Sequence, residues 1–120
     1  MTSPKANGFL LAYTEHGSKI SLEEWDDWYD TEHMPHLSTI PELLTGDRWV
    51  AQDGQKPSTA VTFDAVACSV LQSPAFVTLM QNASEREQRM FRDAETGDRR
   101  AYDVYTGPGA SKLQIGRAHV

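Results

Sequence analysis

The 120-residue chain contains a single cysteine, Cys68, so an internal disulfide framework is excluded, and a lone thiol suits a reducing compartment. No stretch approaches the ~18 consecutive apolar residues that cross a bilayer, which argues against a membrane-spanning protein. Cations are in the minority: 11 Lys and Arg stand against 17 Asp and Glu, a net charge of −6. Phosphate backbones are held by clustered Lys and Arg, so nucleic acid is not an expected partner. A Gly-rich phosphate loop, a nucleophile elbow and a Cys-x-x-Cys pair are all missing, which leaves nucleotide binding, serine hydrolysis and dithiol redox without a motif. The first eight residues carry one lysine and no apolar run, unlike a secretory leader. With 39% hydrophobic residues there is material for one modest core. The expectation is one small domain in the cytoplasm.

The charge that is present is unevenly spread. Glu23, Glu24, Asp26, Asp27, Asp30, Glu32, Glu42 and Asp47 follow one another with no Lys or Arg between them. Arg86, Arg89 and Arg92 recur every three residues and share one side of a helix. Two arrangements stay open: independent solvated faces of opposite sign, or two helices side by side or meeting across subunits.

Residues 8–14 form a short apolar run with aromatics, the pattern of a buried strand. Ser21 and Glu24 then match a capping box, and Leu22, Trp25, Trp28 and Tyr29 recur at helical spacing. Pro35 predicts the end of this helix near His33, because the residue before a proline avoids helical geometry. Residues 48–51 and 58–63 read as two strands joined by the turn chemistry of Gln52, Asp53, Gly54 and Gln55. Ser73 and Pro74 open a helix through Phe76, Val77, Leu79 and Met80. A second capping box, Ser84 with Glu87, starts a helical stretch to about Ala94; Gly97 stops it, and residues 99–105 form the last strand. The order β-α-β-β-α-β specifies a ferredoxin-like α+β layer, a four-stranded antiparallel sheet with the helices on one face. The other face stays bare, and a bare apolar face calls for a second copy of the chain. The domain is expected to occupy residues 1–106, with 107–120 as a flexible tail. Residues 114–120 resemble the translation of a DNA-sequencing adapter, so Arg117 and His119 are set aside.

Chemistry concentrates at the end of the first helix, in the run from Trp28 through Tyr29, Asp30, Thr31, Glu32, His33, Met34 and Pro35 to His36. Here, and in Ile40-Pro41, residues 73–76, 82–87 and 98–102, the chain resembles the EthD-like and related members of the dimeric α/β-barrel superfamily. Their first helix ends in an aromatic residue, a short acidic stretch and His-x-Pro. The resemblance implies a homodimeric barrel, and a function among cofactor-free isomerases, cyclases, decarboxylases and monooxygenases, haem-binding members or proteins of no assigned activity. It also implies that His33 lies near the barrel cavity.

Imidazole gives and takes a proton near neutrality, and Tyr29 is the i,i+4 neighbour of His33, so this pair is the first candidate for acid–base work. The competing role for His33 is structural, as a donor to carbonyls in the last helical turn. Tyr13, with Tyr102 or Tyr105, is the next candidate group, since strand alternation sends one member of each strand to the open face, where a barrel cavity is expected. Trp28, Trp49, Phe63, His36 and Tyr102 are the expected substrate contacts, for a small aromatic or polyketide-like ligand. Asp30 and Asp64 are weaker carboxylate candidates. Glu32, His33 and His36 supply metal-type donors, but Pro35 interrupts them and no further Cys or His completes a shell, so neither metal nor cofactor is expected.

Two functional classes follow. One is a cofactor-independent enzyme of lyase, cyclase, isomerase or monooxygenase type, acting by His33-mediated proton transfer. The other is a non-catalytic ligand-binding or stress-related barrel in which His33 is structural. A cavity that reaches His33 separates them.

Overall fold

The computed structural model describes residues 5–110, which form four strands and a layer of helices. The strands are β1 (Gly8–Glu15), β2 (Leu43–Val50), β3 (Thr59–Ala65) and β4 (Thr96–Asp103). Their order in the sheet is β2-β3-β1-β4 and every pairing is antiparallel, the ferredoxin-like arrangement. The helices are α1 (Leu22–Trp28), α2 (Met34–Leu37), α3 (Pro74–Gln81) and α4 (Glu85–Asp93). A five-residue π turn, Tyr29–His33, joins α1 to α2, and a 3₁₀ turn, Cys68–Gln72, precedes α3. None of the helices is long and apolar enough to cross a membrane.

The register places the sheet's two faces. Leu10 pairs with Phe63 and Ala101, and Ala12 with Val61 and Arg99; these residues face the helices. Leu10 and Val61 are buried there against Leu37, Ile40, Phe76, Trp25, Trp28, Tyr29 and Met90, in two adjoining clusters to which Phe63 is common. The alternate set, Phe9, Leu11, Tyr13, Trp49 and Tyr102, lies on the opposite face. Tyr13, Trp49 and Tyr102 are exposed there.

Several element boundaries differ from the sequence expectation. Strand β2 starts at Leu43, five residues before the predicted strand at 48, and bulges between Leu43 and Thr45. Gly97 does not end a helix; it lies inside β4, opposite Thr14, on the exposed edge of the sheet where a side chain is dispensable. The first helix does not end at His33. Pro35 has no N–H to give to the preceding turn, and the backbone adapts by widening: Met34 N–H bonds the carbonyl of Tyr29, five residues back, while the Thr31 hydroxyl donates to the Asp27 carbonyl at 2.7 Å. Helical structure thus continues to Leu37. Gly54, at φ +74°, turns the β2–β3 connection, where the Asp53 carboxylate accepts from Gln55 N–H at 3.0 Å.

The two charged stretches lie side by side. Arg86 donates to Asp27 at 2.8 Å and to Glu32 at 3.1 Å, and Arg89 pairs with Glu24, tying α4 to α1 and the π turn. Arg92 turns instead to its neighbour Asp93. In the predicted tail, residues 107–110 form a turn, with the Tyr105 hydroxyl donating to the Pro108 carbonyl at 2.7 Å. Residues 111–120, including the adapter-like run, lie outside the described residues.

Candidate active site

A cavity of about 390 Å³ lies between the helices and the sheet. Its walls are apolar and aromatic, with Trp25, Trp28, Phe63, Phe76 and Phe91 among them, and its polar side chains include Tyr29, His33 and Arg99. Tyr13, Trp49 and Tyr102, on the open face of the sheet, do not line this space. Parity along a strand tells which residues share a face, and the register here puts the cavity on the face that the helices cover. His36 is exposed on α2 and does not line the cavity. Of the residues expected at the site, Tyr29, His33, Trp28 and Phe63 are brought together.

The π turn sets the position of His33. Its ring stacks on Trp28 with centroids 4.5 Å apart, and meets Tyr29 and Phe91 edge-on at 5.4 and 5.8 Å. Its Nδ1 lies 3.0 Å from Oε1 of Glu87, a residue 1% exposed on α4. A buried carboxylate demands a partner, and here it accepts from Nδ1–H. With Glu87 as the acceptor, the bond places a proton on Nδ1, and Nε2 is the other ring nitrogen of this histidine on the cavity wall. Among the described residues the His33 side chain bonds Glu87 and no helix carbonyl.

Glu87 was not among the expected site residues. It is the N3 residue of the second capping box, and half of that box is formed: Ser84 Oγ accepts from Glu87 N–H at 3.0 Å. The side chain that should reach back to Ser84 turns inward to His33 instead. The signal was present in the spacing, because Glu87, Met90 and Ala94 fall on one stripe of α4 and an acid on an apolar stripe needs a reason. The first box behaves alike: Ser21 accepts from Glu24 N–H at 3.1 Å, and the Glu24 carboxylate goes to Arg89.

Tyr29 is 1% exposed; its hydroxyl is 2.9 Å from Thr14 Oγ1, and the Arg48 guanidinium sits 4.8 Å above its ring. Burial pushes the phenol pKa up, so Tyr29 is neutral across the physiological range. Arg48 is held by Asp26 and, at 3.5 Å, by Asp30, which does not line the cavity. Asp64 bonds Thr45 on the open face at 3.0 Å. Gly46 on β2 makes room for Phe63: a Cβ there would stand 2.7 Å from the ring.

Glu32, His36 and Glu87 place one donor atom each within 4.8 Å of one another, a set that differs from the run Glu32, His33, His36 considered from sequence. Both carboxylates are already engaged, Glu32 by Ser84 and Arg86 and Glu87 by His33. For Glu32, burial works upward, but the bonds from Ser84 and Arg86 overcome it and hold the carboxyl below its usual range.

No protein-family model and no curated protein matches the chain. Its likeness is to solved structures. HapK from Hahella chejuensis superposes with a TM-score of 0.56 at 12% identity, over 87% of this chain and 98% of that one. A hypothetical protein of Arabidopsis thaliana, solved in solution, gives 0.54 at 10% identity, over 89% and 96%. The chain shares their fold. An EthD family protein of Bacillus halodurans gives 0.49 at 14% identity, over 80% of this chain and 95% of that one.

Proposed function

We propose that this protein is a cofactor-independent enzyme that moves a proton on a small aromatic or polyketide-like molecule, with His33 as the acid–base group. The observation that carries the reading is the His33–Glu87 hydrogen bond at the wall of an aromatic cavity. In the proposed step, Nε2 takes a proton from a carbon next to a carbonyl. Glu87, accepting from Nδ1–H, stabilises the imidazolium that forms, and the neutral Tyr29 phenol donates to the carbonyl oxygen as charge builds there. Return of the proton to another carbon completes an isomerisation. Attack of the enolate on a second carbonyl of the same molecule, with the proton passed to the new alkoxide, makes a cyclase. Loss of a β-hydroxyl as water, protonated by the imidazolium, makes a lyase. The cavity volume fits one or two fused rings.

The working unit of this reading is a homodimer joined through the open sheet face, where Tyr13, Trp49 and Tyr102 would find a partner. These three residues are then interface groups and not ligand contacts.

The test uses 2-tetralone in D₂O as a carbon-acid probe. NMR is expected to show the protein accelerating exchange of the protons next to the ketone, with His33→Ala and Glu87→Gln losing the effect. Binding of 2-tetralone without faster exchange would instead identify a ligand carrier, the second class raised by the sequence.

A further inference from the structure

Arg99 is a cation without an assigned task. It lies on β4 opposite Ala12, on the face that lines the cavity, with Gly97 and Ala101 as its small neighbours on that face. Its guanidinium sits 5.4 Å from the centre of the Phe76 ring, itself buried in the cavity wall. Arg48, Arg86, Arg89, Arg92 and Arg100 each pair with a carboxylate; Arg99 pairs with none among the described residues. The adjacent acid, Asp98, also borders the cavity, but its carboxylate pairs with Arg100 at 3.4 Å and not with Arg99. In a chain of net charge −6 an arginine left unpaired beside an apolar cavity is a place for a ligand's negative charge.

We propose that Arg99 is the anion-binding residue of this cavity, and that the ligand is an aromatic or polyketide-like carboxylate whose ring enters beside Phe76 while its carboxylate docks on the guanidinium. This rests on the reading of the cavity as the ligand site and names the class of ligand it takes. The planar guanidinium presents paired N–H donors that match a carboxylate, and stacking on Phe76 holds that plane in place. The net negative charge of the protein repels anions in general, so a preference for one reflects the local cation.

Calorimetric titration with 2-naphthoate and its neutral analogue 2-naphthalenemethanol tests this. The wild-type protein should bind the naphthoate about ten- to a hundredfold more tightly, the range of a charge-assisted hydrogen bond. Arg99→Gln should erase that preference by weakening the naphthoate, and naphthalenemethanol should still bind, which shows that the cavity is intact. Arg99→Lys should keep part of the preference, and Arg100→Gln all of it. Equal binding of the two probes by the wild type, or a preference that survives Arg99→Gln or disappears in Arg100→Gln, overturns the proposal while the cavity stays a ligand site. Failure of both probes to bind overturns the proposal together with the reading of the cavity. None of these measurements depends on His33 being catalytic.

Discussion

His33 Nδ1 and Glu87 Oε1 are 3.0 Å apart, although 54 positions separate the residues in the chain. One bond thereby joins the π turn after α1 to the first turn of α4 and orients the imidazole. If the carboxylate sets the tautomer, ¹⁵N-resolved imidazole spectra will show His33 protonated at Nδ1, and Glu87→Ala will redistribute the proton between the two nitrogens. An unchanged spectrum in that variant would assign the tautomer to another contact.

Activity should follow the same bond. Loss of a positioned proton-transfer group typically costs about 10²–10⁴ in rate, so His33→Ala is expected to lose 2-tetralone exchange on that scale. Glu87→Gln keeps an acceptor for Nδ1–H but removes the charge that stabilises imidazolium, and should fall less far. The double variant should be no worse than His33→Ala, because two groups acting as a unit are not additive. An additive loss would separate Glu87 from the histidine.

The Ser84 hydroxyl has two duties, accepting from Glu87 N–H and donating to Glu32. Among the described residues the Ser21 hydroxyl makes only the capping bond to Glu24 N–H. An N-cap Ser→Ala change costs roughly 0.5–2 kcal/mol. Urea melts should therefore place Ser21→Ala within that range and Ser84→Ala at its upper end. The reverse ranking would show that the Glu32 contact contributes little.

Much of this arrangement was legible in advance. Helical spacing brought Tyr29 and His33 to one side, and the capping serines marked the helix starts. Element order implied the four-stranded sheet, which is the fold shared with HapK. What the sequence concealed has physical causes. Alternation reveals that Tyr13 and Trp49 differ in face from Leu10 and Val61, but not which face the helices cover. Pro35 ordinarily signals a helix end, and here a π turn absorbs its missing donor. Glu87 passed for a capping residue because its backbone does serve the cap, while its side chain does not.

Glu24 and Arg89 make stability depend on acid. The hydrogen bond from Arg89 holds the Glu24 carboxyl below its usual 4.5. A carboxyl with a lowered folded-state pKa stabilises the fold above the ordinary value, and that contribution fades as pH falls through the lowered one. Arg89→Gln should thus lower the melting temperature at pH ~7, and the gap from wild type should close by pH ~2. A gap that persists in acid would assign the loss to packing of the arginine stem.

The open sheet face yields the last expectation. Trp49 is 57% exposed and Tyr102 48%, on a face that also carries Phe9 and Leu11. Large aromatic surface of this kind favours association with a second copy, and the two-fold dimer is the commonest closed solution. Sedimentation equilibrium at micromolar concentration should give a species of twice the 13.4 kDa chain mass. Trp49→Glu sets a carboxylate on the edge strand β2 of that face, near Asp47 on the same strand, where like charges gather and desolvation is costly. The variant should sediment as a monomer and still show the His33–Glu87 hydrogen bond in imidazole spectra, since that bond lies on the other side of the sheet. A wild-type protein that sediments only at the chain mass would remove the dimer and leave the cavity, which one chain builds by itself.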